Sequence, residues 1–456
     1  MSYREKLDTL ADKLEPDSVL ILFSAEKKVR NRDVHFEYRN SSDFLYLTGY
    51  NVPEMVLCLG SDKSLVVFMN YPDNRQERWS GKMLSPETVQ SDLKLDDASV
   101  REFKKFWNDI TEILKNKKIV YLELNHRFDF FSKLLQIMDD LNKNNRESQN
   151  GPDKIYHVHQ PIHELRVIKS AMEIQKIRDA IEITGKGFTE TMLYTREMCQ
   201  QKKANDIFEY NIKSRIESVF KNHGAMNLAY PTIVASGNNA NYLHYESSHR
   251  QVNYGDLILV DAGCEFKGYA SDITRTFPCS GKFTTPQREI YEIVLGAQKA
   301  AISQCLVGNS FESIHNTAVR HIVDGLWHLG LFKSIIDPEV KSAGKKHKLV
   351  KPGSVEEVIE KKYYQVYYMH YTSHYLGLDV HDVGRYFLNG KSRNLEPGMV
   401  FTVEPGIYIS KEYRFAPECF RGIGIRIEDN IAITPAGCDI LSKNIPREIN
   451  EIENLG

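Results

Sequence analysis

Residues 1–160 alternate short apolar runs with stretches of helical character. The runs Ser18–Phe23, Met55–Leu59 and Ser64–Met69 are apolar and of strand length, so we predict buried strands there. Leu114–Leu122 has the same character and follows a helix-like segment, Val100–Leu114. Such alternation predicts a mixed α/β domain at this end of the chain.

The pattern changes near Pro161, where longer helical periodicity begins. Ser170 and Glu173 have the Ser-x-x-Glu spacing of a capping box, which predicts the start of a helix. Apolar residues then recur at helical spacing, at Ile174, Ile177, Ile181 and Phe188. We therefore predict two domains, residues 1–165 and 166–456.

The second predicted domain mixes long helices with strands, so the fold class is α/β (α+β). Asp256–Val260 and Gly398–Val403 are apolar runs typical of interior strands. Residues 341–362 are rich in lysine, with Gly344 and Pro352 as helix breakers. We interpret this segment as a solvated surface insertion.

Composition excludes several classes of function. The 456 residues include 59 Lys and Arg against 61 Asp and Glu, whereas general nucleic-acid binders carry a strong basic excess. No apolar run reaches the roughly 18–20 residues that cross a bilayer, so we expect no membrane partner. The seven cysteines are odd in number and lack C-x-x-C spacing, which suits a reducing compartment. The charged start, with Asp8 and Glu15, differs from a signal or transit peptide, and we expect a cytoplasmic protein.

Two aspartates stand at the ends of neighbouring predicted strands. An apolar strand ends on Asp261, a turn with Gly263 and Gly268 follows, and a second strand carries Asp272. If the chain turns back near residues 266–267, the two carboxylates lie on one face of a hairpin. Carboxylates that close repel unless a cation or a shared proton lies between them. The alternative is a pair of solvent-facing aspartates on an exposed hairpin.

Three histidines fall within one glycine-punctuated run, residues 369–384. They are His370, His374 and His381, and they alternate with apolar positions as in a strand. A single buried histidine is usually a hydrogen-bonded core residue. Three in one short stretch are more often a metal or catalytic cluster.

Two glutamates lie in apolar strand segments. Glu404 ends a predicted interior strand, where a carboxylate needs a cation or hydrogen-bond donors. Arg426 and Glu428 share one strand face by the two-residue period of a strand.

These residues together supply two Asp, two Glu and at least one His to a common site. Carboxylate-rich ligation with bridging would hold two divalent ions and activate a water between them. Oxygen-dominated ligation without thiolate favours Mn²⁺, with Zn²⁺, Co²⁺ and Fe²⁺ as alternatives.

The motifs resemble those of the Xaa-Pro aminopeptidases (aminopeptidase P) of metallopeptidase family M24, bacterial type. The similarity is dense from Pro231 to Thr434 and thinner over the rest of the chain. The motifs that carry it are Leu257–Gly263, Asp272–Pro278, Ser373–Gly384, Thr402–Gly406 and Gly422–Asp429, with Tyr38–Gly49 nearer the N-terminus. The resemblance implies a creatinase-like N-terminal α/β domain, with a role in oligomerisation and substrate access. It also implies a C-terminal catalytic "pita-bread" domain around a curved antiparallel sheet.

The resemblance also implies roles for individual residues. The implied ligands of two metal ions, commonly Mn²⁺, are Asp261, Asp272, His374, Glu404 and Glu428, with Asp272 and Glu428 bridging. The implied catalytic residues are Glu404, His381, His370 and Arg426. The implied substrate-binding residues are His244, His370, His381 and Tyr408.

The implied reaction releases the first residue of a peptide that has proline in second position. A hydroxide held between the two ions attacks the carbonyl before proline, and Glu404 passes a proton to the leaving nitrogen. The expected partners are peptides with an N-terminal Xaa-Pro and further copies of the chain, in a dimer or tetramer. Trp79 resembles a residue that reaches a neighbouring subunit, and the alternative for it is an ordinary packed aromatic.

Two residues depart from the family pattern beside His374. Tyr371 stands where the family usually has Gly, and Tyr375 where Trp is common, which affects the expected pocket size and substrate preference. The alternatives to the aminopeptidase are a dipeptidase for Xaa-Pro and a creatinase-like amidinohydrolase, which lacks the metal ligands. A metal-free peptide-binding protein on the same scaffold is a fourth hypothesis.

Overall fold

A computed structural model describes residues 1–123, 128–143, 150–201, 207–338 and 348–455. The chain divides into two compact units, Met1–Arg166 and Val167–Gly456.

The first unit is built on a six-stranded mixed sheet. Its strand order is Val100–Glu102, Leu65–Met69, Val56–Gly60, Ser18–Phe23, Ile119–Leu122 and Lys154–His157. The helices are Tyr3–Ala11, Ser42–Thr48, Asn74–Ser80, Pro86–Leu93, Phe106–Leu114, Phe128–Lys143 and His159–Val167. A separate small hairpin pairs Val29–Asn31 with Val34–His35.

The predicted strands Ser18–Phe23, Met55–Leu59 and Ser64–Met69 are confirmed to within one residue, whereas in the similar run Leu114–Leu122 only Ile119–Leu122 is a strand, since Leu114 ends the preceding helix. The predicted helix Val100–Leu114 is wrong over its first residues, because the helix begins only at Phe106. Val100 instead pairs in parallel with Val67 as part of an edge strand. Sheet pairing and the burial of Val100 outweigh the helical pattern there.

The second unit combines helices with several short antiparallel sheets. Its helices are Ala171–Gln200, Glu209–Asn222, Thr285–Ile302, Phe311–His328, Val355–Glu360 and Ile449–Glu453. One sheet has the order Ile233–Ser236, Leu257–Ala262 and Ile273–Pro278, and another the order Val400–Val403, Asp429–Thr434 and Gly437–Ile440. A third has the order Tyr269–Ala270, Cys264–Phe266 and Asn227–Leu228. Two-stranded pairs join Gly406–Ile409 to Ile423–Arg426, Ile335–Ile336 to Leu349–Val350, and Phe387–Leu388 to Lys391–Ser392.

The long helix of the second unit begins where the capping box predicts. The Ser170 amide donates to Glu173 Oε2 at 3.0 Å, and Ser170 Oγ accepts from the Glu173 amide at 3.4 Å. These bonds satisfy two amides that a helix start leaves without intrahelical partners. Ile177, Ile181 and Phe188 are buried, as their helical spacing predicts.

The predicted hairpin between the two aspartates is present. Cys264–Phe266 pairs with Tyr269–Ala270, and the turn residues Lys267 and Gly268 both have positive φ, 51° and 83°. Positive φ at both central residues matches the right-handed twist of the strands, and glycine adopts it without steric strain.

The lysine-rich insertion is only partly described. Residues 341–347 lie outside the described part, whereas residues 348–362 contain the short strand Leu349–Val350 and the helix Val355–Glu360. Within the described ranges, no helix combines the length and apolarity required to cross a membrane.

Candidate metal centre

Two aspartates lie at the facing ends of an antiparallel strand pair. Asp261 is opposite Thr274 in the register, and Asp272 directly precedes the returning strand. The Oη atom of Tyr230 lies 2.6 Å from Oδ1 of each aspartate, so both carboxylates face the same side, as the hairpin predicts. A phenol has one proton and cannot donate to both carboxylates at once. The pair therefore needs further positive charge nearby.

The imidazole of His374 faces these carboxylates. Its Nε2 lies 3.3 Å from Asp272 Oδ2 and 3.4 Å from Glu404 Oε1. Its Nδ1 lies 3.0 Å from the carbonyl oxygen of Tyr375. A carbonyl only accepts hydrogen bonds, so Nδ1 carries a proton and Nε2 is the atom directed at the carboxylates.

The histidine run 369–384 is not the strand that its pattern predicts. Tyr375 forms a β-bridge with Phe401, and backbone hydrogen bonds extend this antiparallel contact over residues 372–376 and 400–404. Beyond this segment, the Asp382 amide donates to the Tyr375 carbonyl and closes a loop. The run therefore bends after Leu376, so that His374 lies on the extended segment and His381 on the loop.

The carboxylates of the cluster are buried together. Burial raises the pKa of Glu404 to about 7 and also raises the pKa values of Asp261 and Glu428. Burial alone would lower the pKa of His374, but Asp272 and Glu404 outweigh it and raise that pKa to about 9. The cluster thus contains more negative charge than the protein neutralises, a condition that a bound cation relieves.

The donor set fits divalent metal ions. Asp272, His374 and Glu428 offer ligand atoms that all lie within 4.8 Å of one another. Asp261 and Glu404 border the same group, through Tyr230 and His374 respectively. Four carboxylates and one imidazole are ligands that Mn²⁺ and similar ions accept.

Arg426 supplies positive charge to one side of the cluster. Its guanidinium donates to Asp261 Oδ2, to Tyr408 Oη at 3.0 Å and to Thr274 Oγ1 at 3.1 Å. Thr274 in turn donates to Glu428 Oε2 at 2.7 Å. One buried arginine therefore orients two of the four carboxylates, one directly and one through a threonine.

His370 is held as a neutral imidazole of one tautomer. Its Nδ1 lies 2.8 Å from the Tyr371 carbonyl and its Nε2 lies 2.9 Å from Tyr408 Oη. Nδ1 must donate to the carbonyl, so Nε2 accepts from the tyrosine hydroxyl. Burial, reinforced by Arg426, lowers the pKa of His370 to about 3.

Two exposed histidines border the cluster. The ring of His381 packs edge-on against that of His374, with centroids 4.3 Å apart. His244 lies close enough to His370 and His381 for its charge to lower the pKa of both. The structure therefore places the predicted site residues in one neighbourhood.

The two tyrosines that depart from the family pattern have different surroundings. Tyr375 is fully buried and packs against Phe311 and Tyr386, so its side chain belongs to the core. Tyr371 is 80% exposed, with its ring 5.3 Å from that of His315. Of these two tyrosines, only Tyr371 therefore has a side chain that can contact a ligand directly.

Several site residues escaped prediction from sequence. Thr274 could have been found, because it is two residues after Asp272 and strand residues share a face with that period. Tyr230 and Asn430 carry no recognisable pattern. Asn430 Oδ1 accepts from the Asp272 amide at 3.1 Å and so fixes the backbone of that aspartate.

A buried polar network lies behind the cluster. Arg275 and Asp429, both fully buried, are paired at 2.8 Å, and Arg275 also donates to the backbone carbonyl of Glu428. Gln298 Nε2 donates to the carbonyls of Val403 and Ile427 at 3.3 and 3.1 Å. These two carbonyls belong to the residues directly before Glu404 and Glu428. The side-chain amide of Gln298 therefore hydrogen-bonds to the backbone next to each of these glutamates.

Family models match both units of the chain. Residues 175–435 match the model described as metallopeptidase family M24, and residues 3–121 match the aminopeptidase P N-terminal domain. The chain belongs to metallopeptidase family M24, a family of hydrolases.

Similar proteins of defined activity align over nearly the whole chain. It is 39% identical to the Xaa-Pro aminopeptidase of Haemophilus influenzae, over 99% of this chain and 96% of that protein. It is 37% identical to the Xaa-Pro aminopeptidase of Escherichia coli, over 99% and 97% respectively.

Solved structures of high similarity have the same fold. The aminopeptidase PepP of Pseudomonas aeruginosa aligns with a TM-score of 0.90 and 35% identity, over 99% of this chain and 97% of that one. Zinc-substituted aminopeptidase P of E. coli, in complex with product, aligns with a TM-score of 0.89 and 36% identity, over 100% and 97%. The predicted family and its two-domain α/β fold class are confirmed.

Proposed function

We propose that this chain is a metal-dependent Xaa-Pro aminopeptidase that releases the first residue from peptides with proline in second position. The observation that carries the proposal is the cluster of four carboxylates and one imidazole. The chain that holds this cluster is 39% identical to a Xaa-Pro aminopeptidase. Two divalent ions, Mn²⁺ by preference with Zn²⁺, Co²⁺ or Fe²⁺ as alternatives, would be held there. Their ligands would be Asp261, Asp272, His374, Glu404 and Glu428, with Asp272 and Glu428 shared.

The ions, when bound, supply an activated water and polarise the scissile carbonyl. Glu404 would accept the proton of that water and pass it to the leaving nitrogen of proline. Its Oε1 lies 3.4 Å from His374 Nε2 and its Oε2 lies 3.7 Å from His370 Nδ1, so the carboxylate stands between the two imidazoles. Thr402 Oγ1, 3.4 Å from Oε1, holds the carboxylate in place.

The surrounding side chains bind and orient the peptide. His381 is exposed beside the cluster and donates to the carbonyl oxygen as negative charge develops on it. Burial and Arg426 lower the pKa of His370 and keep it neutral, and the Tyr408 hydroxyl fixes its orientation. The amide before proline lacks an N–H, so a pocket bordered by His244, His370 and His381 selects proline by shape.

The proposal extends to the setting of the enzyme. We place it in the cytoplasm as a homo-oligomer, a dimer or tetramer, with the N-terminal domain contributing to assembly and substrate access. Trp79 is 89% exposed and so is not a packed core aromatic within the chain. An exposed tryptophan of this kind suits a contact with another subunit.

The first test compares peptides that differ at the second residue. We expect the chelator-stripped enzyme, reloaded with Mn²⁺, to release arginine from Arg-Pro-Pro, and to leave Arg-Ala-Pro intact, as measured by chromatography of the products. The stripped enzyme should be inactive on both. Cleavage of Arg-Pro but not of Arg-Pro-Pro would identify a dipeptidase instead. Failure to bind metal or to cleave any peptide would favour a binding protein.

Replacing Gln298 tests whether the amide behind the cluster positions the glutamates. In Q298L two backbone carbonyls lose their donor, and we expect about 10–100-fold weaker binding of divalent metal, as for other groups that support ligands. Competition with a chromophoric chelator measures this affinity. Q287L is the matched control, because Gln287 lies on the same helix and donates to Gly255 instead. Equal metal affinity of the two variants would contradict the positioning role.

A further inference from the structure

A second group of histidines and carboxylates lies in the first unit, formed by Asp43, Glu123, His157, His159 and His163. His157 ends a strand, and His159 and His163 lie four residues apart on the helix that follows. That spacing places two imidazoles on one helix face, an arrangement that zinc-binding helices use. The rings of His159 and His163 are stacked, with centroids 4.6 Å apart and planes inclined by 18°.

Carboxylates from two other segments face these imidazoles. His163 Nε2 lies 3.1 Å from Asp43 Oδ2, and His159 Nε2 lies 3.5 Å from Glu123 Oε1. Ligand atoms of Asp43, His159 and His163 all lie within 4.8 Å of one another. Ligands about 2.0–2.1 Å from a tetrahedral zinc ion are about 3.3 Å apart. The nitrogen–oxygen distances of the His163–Asp43 and His159–Glu123 pairs are therefore close to the distance between two ligands of a tetrahedral zinc ion.

Arg166 orients the carboxylate of Asp43. Arg166 Nη1 lies 2.6 Å from Asp43 Oδ1, which leaves Oδ2 directed at His163. Burial alone would raise the pKa of Asp43, but His163 and Arg166 reverse this and lower it, so the group is a carboxylate.

Two carboxylate contacts converge in this arrangement. Asp43 contacts Arg166 and His163, His159 Nε2 lies 3.5 Å from Glu123 Oε1, and His157 Nδ1 accepts from the His159 amide at 3.2 Å. Ligand atoms of three side chains meet here, which a single cation can use together.

We propose that Asp43, His159 and His163 bind a transition-metal ion, Zn²⁺ by their ligand chemistry, with Glu123 in reach of a fourth position. This site uses none of the residues assigned to catalysis. The ion joins the helix Ser42–Thr48 to the helix His159–Val167 and to the end of the strand Ile119–Leu122. It therefore crosslinks three segments of the first unit.

The test uses the full chain with the proposed catalytic ligands disabled. Protein carrying Asp272→Asn and Glu428→Gln is stripped with chelator and titrated with Zn²⁺ against a chromophoric chelator. We expect about one equivalent of zinc to bind tightly. Adding His159→Gln should weaken that binding at least about tenfold, whereas adding His35→Gln, an exposed histidine of the same unit, should leave it unchanged.

A spectroscopic measurement accompanies the titration. Co²⁺ bound in place of zinc should show the intense visible absorption of tetrahedral coordination, and His159→Gln should remove it. Far-ultraviolet circular dichroism establishes that each variant is folded. If the protein with Asp272→Asn and Glu428→Gln does not bind zinc tightly, the proposal is wrong whatever the His159 variant shows. Equal binding after His159→Gln and His35→Gln would overturn it as well.

Discussion

Replacing Asp272 with asparagine should lower kcat/KM for Arg-Pro-Pro by on the order of 10³-fold and reduce the divalent metal bound at the cluster. Groups that merely support metal ligands already contribute about 10–100-fold, and Asp272 is proposed as a shared ligand itself. Its carboxylate lies 3.3 Å from His374 Nε2 and 2.6 Å from Tyr230 Oη. Asparagine keeps the shape but removes the charge and one donor oxygen.

The effect of D272N on the free energy of unfolding should depend on metal. Relative to the wild type, the variant should be no less stable without metal and less stable with metal. Burial raises the pKa values of Asp261, Glu404 and Glu428 and repulsion from Asp272 raises them further, so neutralising Asp272 removes part of the repulsion in the metal-free protein. We expect metal-free D272N to unfold in urea at or above the wild-type midpoint. Metal should then stabilise the wild type, by about 2.7 kcal/mol at a concentration 100 times Kd, and should stabilise D272N much less.

The control for this prediction is D179N. Asp179 pairs with Lys267 at 3.6 Å on a half-exposed face of the long helix, so its loss should leave kcat/KM and metal content unchanged. If D272N retains wild-type metal content and activity, the shared-ligand role of Asp272 is wrong. Loss of activity in both variants would indicate a general sensitivity to the removal of surface and buried charge alike.

Replacing Arg275 with methionine should give the largest loss of stability, about 3–5 kcal/mol. Removing one partner of a buried ion pair leaves the other charge uncompensated. Asp429 would keep Arg447 and the Ser442 hydroxyl but lose one of its two guanidinium partners. Four backbone carbonyls would also lose a donor: those of Thr274, Glu428, Ile445 and Pro446. Because one of these carbonyls belongs to Glu428, metal affinity should fall together with stability.

Urea unfolding followed by fluorescence and circular dichroism measures this loss. The two units can unfold separately, so coincidence of the two probes decides whether one free energy describes the transition. R288M is the matched control, because Arg288 pairs with Glu453 at 2.7 Å but is 39% exposed, and we expect a loss of only about 0–1 kcal/mol. A loss in R275M no larger than in R288M would show that the buried pair contributes little.

Local patterns predicted the elements that carry the site. The apolar runs identified the strands that end at Asp261 and Glu404, and the turn residues between Asp261 and Asp272 indicated a hairpin. These features depend on residues close together in the chain, where strand period and turn conformation act directly. The histidine run is strand-like only over residues 372–376, because alternation alone does not show where hydrogen bonding to a neighbour stops.

The sequence by itself determined the chemistry available to this protein: its family, its carboxylate and imidazole donors, and the helices and strands that carry them. The tertiary structure decided which distant residues meet. Arg275 and Asp429 are 154 positions apart, and His163 and Asp43 are 120 apart. Contacts over such separations leave no periodic pattern, because they depend on how several elements pack together. For the same reason Tyr230, Gln298 and the second histidine cluster became visible only in the folded chain.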